Sequence, residues 1–184
     1  YRNLMLVLIV APFFASFLLR TNAWKTILSG DGFVVNFLNS FSLLPQGRIL
    51  NTSIAVIAGL VYNFLPFMIL PLYTSLEKID PRLIEAAGDL YSPPSQRFWK
   101  VVWPLSLPGV VSGTLLTFIP ASGDYINAEL LGSINNKMIG NVIQSQFIDL
   151  RDYPTASALS FTFMAIILVM IYFYIRKAGT DNLV

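Results

Sequence analysis

The chain of 184 residues is 55% hydrophobic and 12% charged, with a mean hydropathy of +0.64 and a net charge of +2. That composition leaves too little polar surface to clothe a water-soluble globule, and no Lys/Arg run indicates a nucleic-acid partner or a polybasic lipid anchor, so the expected environment is a lipid bilayer. With no Cys and no His, disulfides, thiolate or imidazole metal sites and His-dependent triads are excluded.

Four apolar segments read as helical spans, roughly Leu4 to Leu19, Ile54 to Tyr73, Trp103 to Ala121 and Pro154 to Ile175. A span needs about 20 apolar residues. The first segment is therefore short, and the last, closed by Arg176-Lys177, is the clearest. Backbone groups must be satisfied internally within lipid, and the alternation of a barrel strand is missing, so the fold class is all-α, a polytopic transmembrane helical bundle. If Arg176-Lys177 is cytoplasmic, seven basic residues lie inside (Arg2, Lys78, Arg82, Arg97, Lys100, Arg176, Lys177) and five outside (Arg20, Lys25, Arg48, Lys137, Arg151).

Within the second segment, Asn63 sits mid-span near Pro66 and Pro71. A buried amide there is expected to bond between helices, contact with a solute being the alternative, and the prolines are expected to bend the helix. Residues 77–108 form a charged amphipathic insert between very apolar neighbours, which reads as two short helices at an angle. Asp80 is an N-cap and Pro81 a first helical residue, followed by an apolar stripe of Leu83, Ala86, Ala87 and Leu90, with Glu85 and Asp89 on another face. Ser92-Pro93 repeats the cap-plus-proline signal, and Phe98, Val101, Val102 and Leu105 repeat the stripe, so the chain stops and restarts at Tyr91-Ser92. Such an element lies along a membrane surface or in a partner's groove; a solvated connecting loop fits the same pattern.

After the third segment, Pro120 and Gly123 are expected to interrupt the helix at its outer end, so that Ser122 to Glu129 lines a cavity with non-helical backbone. Acidic groups there are costly unless partnered, although carboxylates and tyrosines also occur at the headgroup level of ordinary external loops. Residues 135–152 place Ile139, Val142, Ile143 and Phe147 on one face, as in a short helix at the outer surface.

Glu85-Ala86-Ala87, Pro104 and Leu107-Pro108-Gly109 resemble the EAA loop of transmembrane permease subunits of bacterial ABC importers, the MetI-like family. The resemblance extends over nearly the whole chain, through Pro12-Phe13-Phe14 with Ser16, Arg20 and Ala23-Trp24, Gly59-Leu60-Val61-Tyr62 with Leu65-Pro66-Phe67-Met68 and Pro71-Leu72-Tyr73, and Ile139-Gly140-Asn141-Val142-Ile143-Gln144 with Gln146-Phe147. It looks most like the spermidine/putrescine branch, and Asp89-Leu90 resembles the polyamine, iron and thiamine branches rather than the sugar branch. Tyr91 departs from the family's glycine at the turn beyond the triplet, and Trp103 from the leucine of its first Leu-Pro; at Tyr91 a different turn is expected, because a bulky residue is strained where φ is positive.

The resemblance implies one permease domain over residues 1–184, with 77–108 as a cytoplasmic coupling loop in a multi-pass protein of the bacterial cytoplasmic membrane. Glu85, Ala86, Ala87, Asp89 and Leu90 would meet an ATPase subunit, and Asp124, Tyr125, Asn127, Glu129 and Gln144 would line the path of a polyamine, with Asp124, Tyr125 and Glu129 as gate residues. Tyr125 would face an alkylammonium group through its ring, for roughly 0.5 to 2 kcal/mol. Implied partners are two ABC ATPase subunits, a second and similar permease subunit, an extracytoplasmic substrate-binding protein and the bilayer, with no nucleic acid and no cofactor. The chain is expected to be a transport subunit and not an enzyme, since it holds no phosphate-cradling Gly-rich loop. Alternatives are the same machine carrying iron, thiamine or an opine, and a channel or membrane enzyme without an ATPase. Because the family usually has six spans and the chain opens on Tyr1, one or two N-terminal spans are expected to be missing, and the first apolar run is not a signal peptide.

Overall fold

The computed structural model describes residues 2–30, 32–40 and 49–178, and every regular element among them is a helix. The protein is all-α, as composition and patterning require. Arg48, assigned above to the outer side, and residues 1 and 179–184 of the expected domain lie outside the described residues.

The first apolar segment is not the single span Leu4 to Leu19. α1 (Arg2–Val10) tightens into a 3-10 turn at Ala11–Phe14, and α2 (Phe17–Ile27) leaves it at a bend of 98°. Pro12 is the cause: it has no N–H for the preceding turn, and Ala15 and Ser16 then run extended, with ψ of 149° and 139°. α3 (Phe33–Ser40) follows.

The other three segments form long helices, α4 (Ser53–Glu77), α7 (Trp103–Ser122) and α10 (Tyr153–Ala178). The 25 residues of α4 extend about 37 Å, more than the ~30 Å of a hydrocarbon core. Pro66 and Pro71 sit inside this helix without ending it. Between the long helices lie α5 (Pro81–Asp89), α6 (Pro94–Arg97), α8 (Ile126–Leu131) and α9 (Ile139–Gln144).

The chain divides into two compact units. In the first (Tyr1–Pro66 with Pro120–Phe163), Leu28, Ala55, Val56, Ala128 and Leu131 form a buried apolar core, against which Trp24, Leu60 and Met138 pack. Gly59 makes room for this: a β-carbon there would meet Leu131 Cδ1 and lie 2.7 Å from Asn127 Oδ1. In the second unit (Phe67–Ile119 with Met164–Val184), α4 and α7 approach through two glycines one helical turn apart. A β-carbon on Gly109 would lie 2.8 Å from the Pro71 carbonyl oxygen, and one on Gly113 would lie 2.8 Å from Met68 Sδ. Small residues at that spacing let helix backbones close on each other where lipid supplies no hydrophobic drive.

The outer surfaces identify the solvent. The most apolar stretch of α10 has no buried residue, and Phe161, Leu168, Tyr172 and Phe173 are each more than half exposed. A helix apolar all round with that exposure is stable only against lipid or other apolar helices.

Candidate functional site

Residues 77–108 fold as the caps dictate, with two differences. Asp80 accepts a hydrogen bond from the Arg82 backbone N–H at 2.9 Å, Pro81 opens α5, and no residue of α5 is buried. The expected stripe is therefore unfilled by this chain: Leu83 is 48% and Leu90 81% exposed. Ala86, Glu85 and Asp89 are exposed as well, while Ala87 is half-buried.

The turn after α5 does not depart from a positive-φ geometry; Tyr91 adopts φ 55° itself. The Ser92 N–H bonds back to the Ala87 carbonyl at 3.2 Å and the Tyr91 N–H to the Gly88 carbonyl at 2.9 Å. This pair of bonds is the Schellman closure of a helix, with tyrosine where glycine is usual. The second helix starts at Pro94 and not at Pro93, because Ser92 belongs to the closure and Pro93, with ψ 156°, is extended.

α6 is also not a free-standing second helix. It passes through a π turn (Phe98–Val102) directly into α7, giving 29 continuous residues, Pro94–Ser122. Pro104 explains the widened turn: it cannot donate, and the Trp103 N–H instead reaches the Phe98 carbonyl. Phe98 meets Trp99 edge-to-face and Trp99 meets Trp103 at a tilt, with centroids 5.4 and 5.6 Å apart, all partly exposed. Aromatic residues so placed are typical of a membrane–water boundary.

The segment after α7 is organised around a buried polar chain. Pro120 stays inside α7, which ends only at Ser122, and the backbone is non-helical only at residues 123–125, not over the expected Ser122 to Glu129, because α8 begins at Ile126. Asp124, 8% exposed, accepts from the N–H groups of Ile126 (2.8 Å) and Asn127 (3.2 Å) and from Asn127 Nδ2, which caps α8. Asn127 is fully buried, and its Oδ1 accepts from Asn63 Nδ2 at 3.1 Å. Asn63 Nδ2 also donates to Thr21 Oγ1 at 3.1 Å, so three helices, α2, α4 and α8, are tied by one chain of polar contacts. Asn63 thus makes the interhelical bonds expected of it.

Glu129 lies apart from this chain. It is exposed and lines a groove of about 700 Å³ with Asn51, Ser133, Asn135, Lys137 and Asn141. Tyr125, 38% exposed, is not part of that lining; its carbonyl accepts from Asn141 Nδ2 at 2.9 Å. Gln144 ends α9 and is not part of it either. α9 and the π turn Ser145–Asp149 supply the short helix expected within 135–152, and Phe147 meets Tyr153 edge-to-face with centroids 5.0 Å apart.

The family model described as "Binding-protein-dependent transport system inner membrane component" matches residues 1–178. The chain belongs to this family. The spermidine/putrescine transport system permease protein PotB of Haemophilus influenzae is 45% identical over 177 residues, 96% of this chain and 62% of that protein. PotB of Escherichia coli K12 is 41% identical over 182 residues, 98% of this chain and 66% of that protein. The inner membrane ABC transporter permease protein YdcU of E. coli is 34% identical over 186 residues, 94% of this chain and 58% of that protein. The chain spans less than two thirds of the length of these relatives.

Membership in the binding-protein-dependent transport family gives the resembling motifs physical content. Arg20 lies 4.4 Å over the Phe13 ring, with Nε and Nη1 buried and without a hydrogen-bond acceptor among the described residues. Leu107-Pro108-Gly109 is where α7 meets α4. Sequence reasoning did not single out Gly113, Thr21 or Arg97. The four-residue spacing of Gly109 and Gly113 was the available signal for the first; Thr21 shares α2 with Arg20, Asn22, Lys25 and Thr26, so nothing local set it apart.

Proposed function

We propose that this chain is the transmembrane permease subunit of an ATP-driven importer that moves a polyamine across the bacterial cytoplasmic membrane by alternating access. Its assembly would comprise two ATPase subunits, a second and similar permease subunit and an extracytoplasmic binding protein, with the protein crossing the bilayer several times. Two observations support this: the relatives named as spermidine/putrescine permeases, and α5, an amphipathic helix whose apolar stripe this chain leaves uncovered. The second carries the mechanical part. A helix with Leu83 and Leu90 bare beside Glu85 and Asp89 fits a groove on another protein, and residues 77–108 are its frame.

Closure of the ATPase pair on ATP would displace α5. The closing turn hands that displacement to α6, and the unbroken run from Pro94 to Ser122 carries it into the membrane as a rigid rod. At the outer end, Asp124, Tyr125 and Glu129 serve as gate residues, with Asn127 and Gln144 as hydrogen-bonding groups. Glu129 is the best placed of them to meet a cation, since its carboxylate faces an open groove, whereas Asp124 and Asn127 act by fixing the segment that carries it.

The test is ATP hydrolysis by the reconstituted complex with binding proteins loaded with spermidine, iron or thiamine. Stimulation by the spermidine-loaded protein is expected, and stimulation only by another cargo overturns the assignment. Glu129→Gln is expected to lower polyamine uptake about tenfold with assembly intact, as for loss of one charged contact. Unchanged uptake removes Glu129 from the gate.

A further inference from the structure

The turn between α5 and α6 needs a backbone conformation that its own residue disfavours, and one side chain is arranged to hold it. Tyr91, at φ 55°, is 97% exposed, so its ring gains no packing that would offset the strain. Arg97 reaches back across the turn from α6. Its Nε donates to the Ser92 carbonyl at 2.7 Å, and its guanidinium lies on the bare backbone of Gly88, where a β-carbon would come within 3.1 Å of Nη1 and 3.2 Å of Cζ. One planar cation thus touches the last turn of α5, the linker and its own helix. We infer that Arg97 is a positioning residue that latches α5 at a fixed angle to α6, and that Gly88 is small in order to receive it.

This rests on the proposed role of residues 77–108 in receiving the ATPase stroke, and it goes beyond that role by naming what makes the element rigid. A loose turn would let α5 swivel without moving the rod behind it, so nucleotide hydrolysis would continue while transport failed. Glycine at position 91 adopts the positive φ without strain, so it should make the latch largely dispensable.

The test uses the complete importer in proteoliposomes, with Arg97→Ala, Gly88→Leu, Tyr91→Gly and the Tyr91→Gly/Arg97→Ala pair. Arg97→Ala is expected to leave assembly and basal ATP hydrolysis unchanged and to lower substrate moved per ATP at least about fivefold, the small end of coupling effects. Gly88→Leu should act in the same direction by displacing the guanidinium, although leucine is the better helix former. Tyr91→Gly alone should behave as wild type and should restore most of the loss when combined with Arg97→Ala. Spin labels at Arg82→Cys and Gln96→Cys, in cysteine-free partner subunits, give a readout independent of transport: Arg97→Ala should broaden their distance distribution and Tyr91→Gly narrow it again. Wild-type transport and an unbroadened distribution in Arg97→Ala overturn the latch, as does a loss of coupling or of assembly that Tyr91→Gly does not repair. If the distributions behave as expected but α5 touches no ATPase, the latch stands and the coupling role falls.

Discussion

Asn127 divides its amide between two buried partners: Nδ2 donates to the Asp124 carboxylate, and Oδ1 accepts from Asn63. Replacing it with leucine leaves Oδ2 of a carboxylate that is only 8% exposed without its side-chain donor, while Oδ1 keeps its two backbone N–H donors, and removes an acceptor from Asn63 in the same step. A loss of about 1–3 kcal/mol is expected for such groups, read as a lower melting temperature of the purified protein, while Glu129→Gln should melt as wild type. Equal melting of the two variants would show that the polar chain is not structural. Gly109 gives a second residue-scale test through the opposite error, too much volume. Gly109→Leu drives a side chain into Ser75 and the Pro71 carbonyl, and overpacking of this kind costs typically 1–3 kcal/mol; unchanged stability would place the α4–α7 approach elsewhere.

Among the elements, caps decide the ends that the apolar runs leave open. Asp80→Ala removes the acceptor for the Arg82 N–H and should cost roughly 1 kcal/mol, seen as faster hydrogen exchange in the first turn of α5 and nowhere in α7. Asp152 does the same for α10. The Thr155 hydroxyl and then the Thr155 N–H hold its pKa below the ordinary 3.8. A carboxyl depressed in the folded state stabilises it above the unfolded pKa and ceases to do so as pH falls through the lowered value. The start of α10 should therefore fray only in acid below that ordinary value, and Asp152→Asn should remove the pH dependence; fraying that is the same in both proteins would exclude this cap.

The same elements show what was legible beforehand. α4, α5 and α10 could be read because apolar length and the Asp80-Pro81 signal are local properties. The bend after Phe14 and the π turn at Phe98–Val102 could not, because Pro12 and Pro104 state only that a bond is missing and not how the backbone absorbs the loss. The site divides likewise. Glu85 and Asp89 were readable as an exposed pair from their spacing, whereas the burial of Asp124 and Asn127 depends on Asn63, which lies 64 residues from Asn127 in sequence.

At the scale of the molecule, the physical claim is that a membrane-embedded chain leaves one amphipathic helix uncovered for another protein to grip. Family membership and the bare apolar surface of α10 support the membrane setting, and α5 has no buried residue. Force produced by nucleotide hydrolysis in a partner would then enter through α5 and travel along the rod that starts at Pro94. The most direct measurement is a cross-link from Glu85→Cys in the assembled importer, a site otherwise free of cysteine in this chain. The account predicts a specific adduct with an ATPase subunit whose yield changes with bound nucleotide. Labelling of that cysteine only from the extracytoplasmic side, or no adduct with any ATPase in the intact particle, would contradict it.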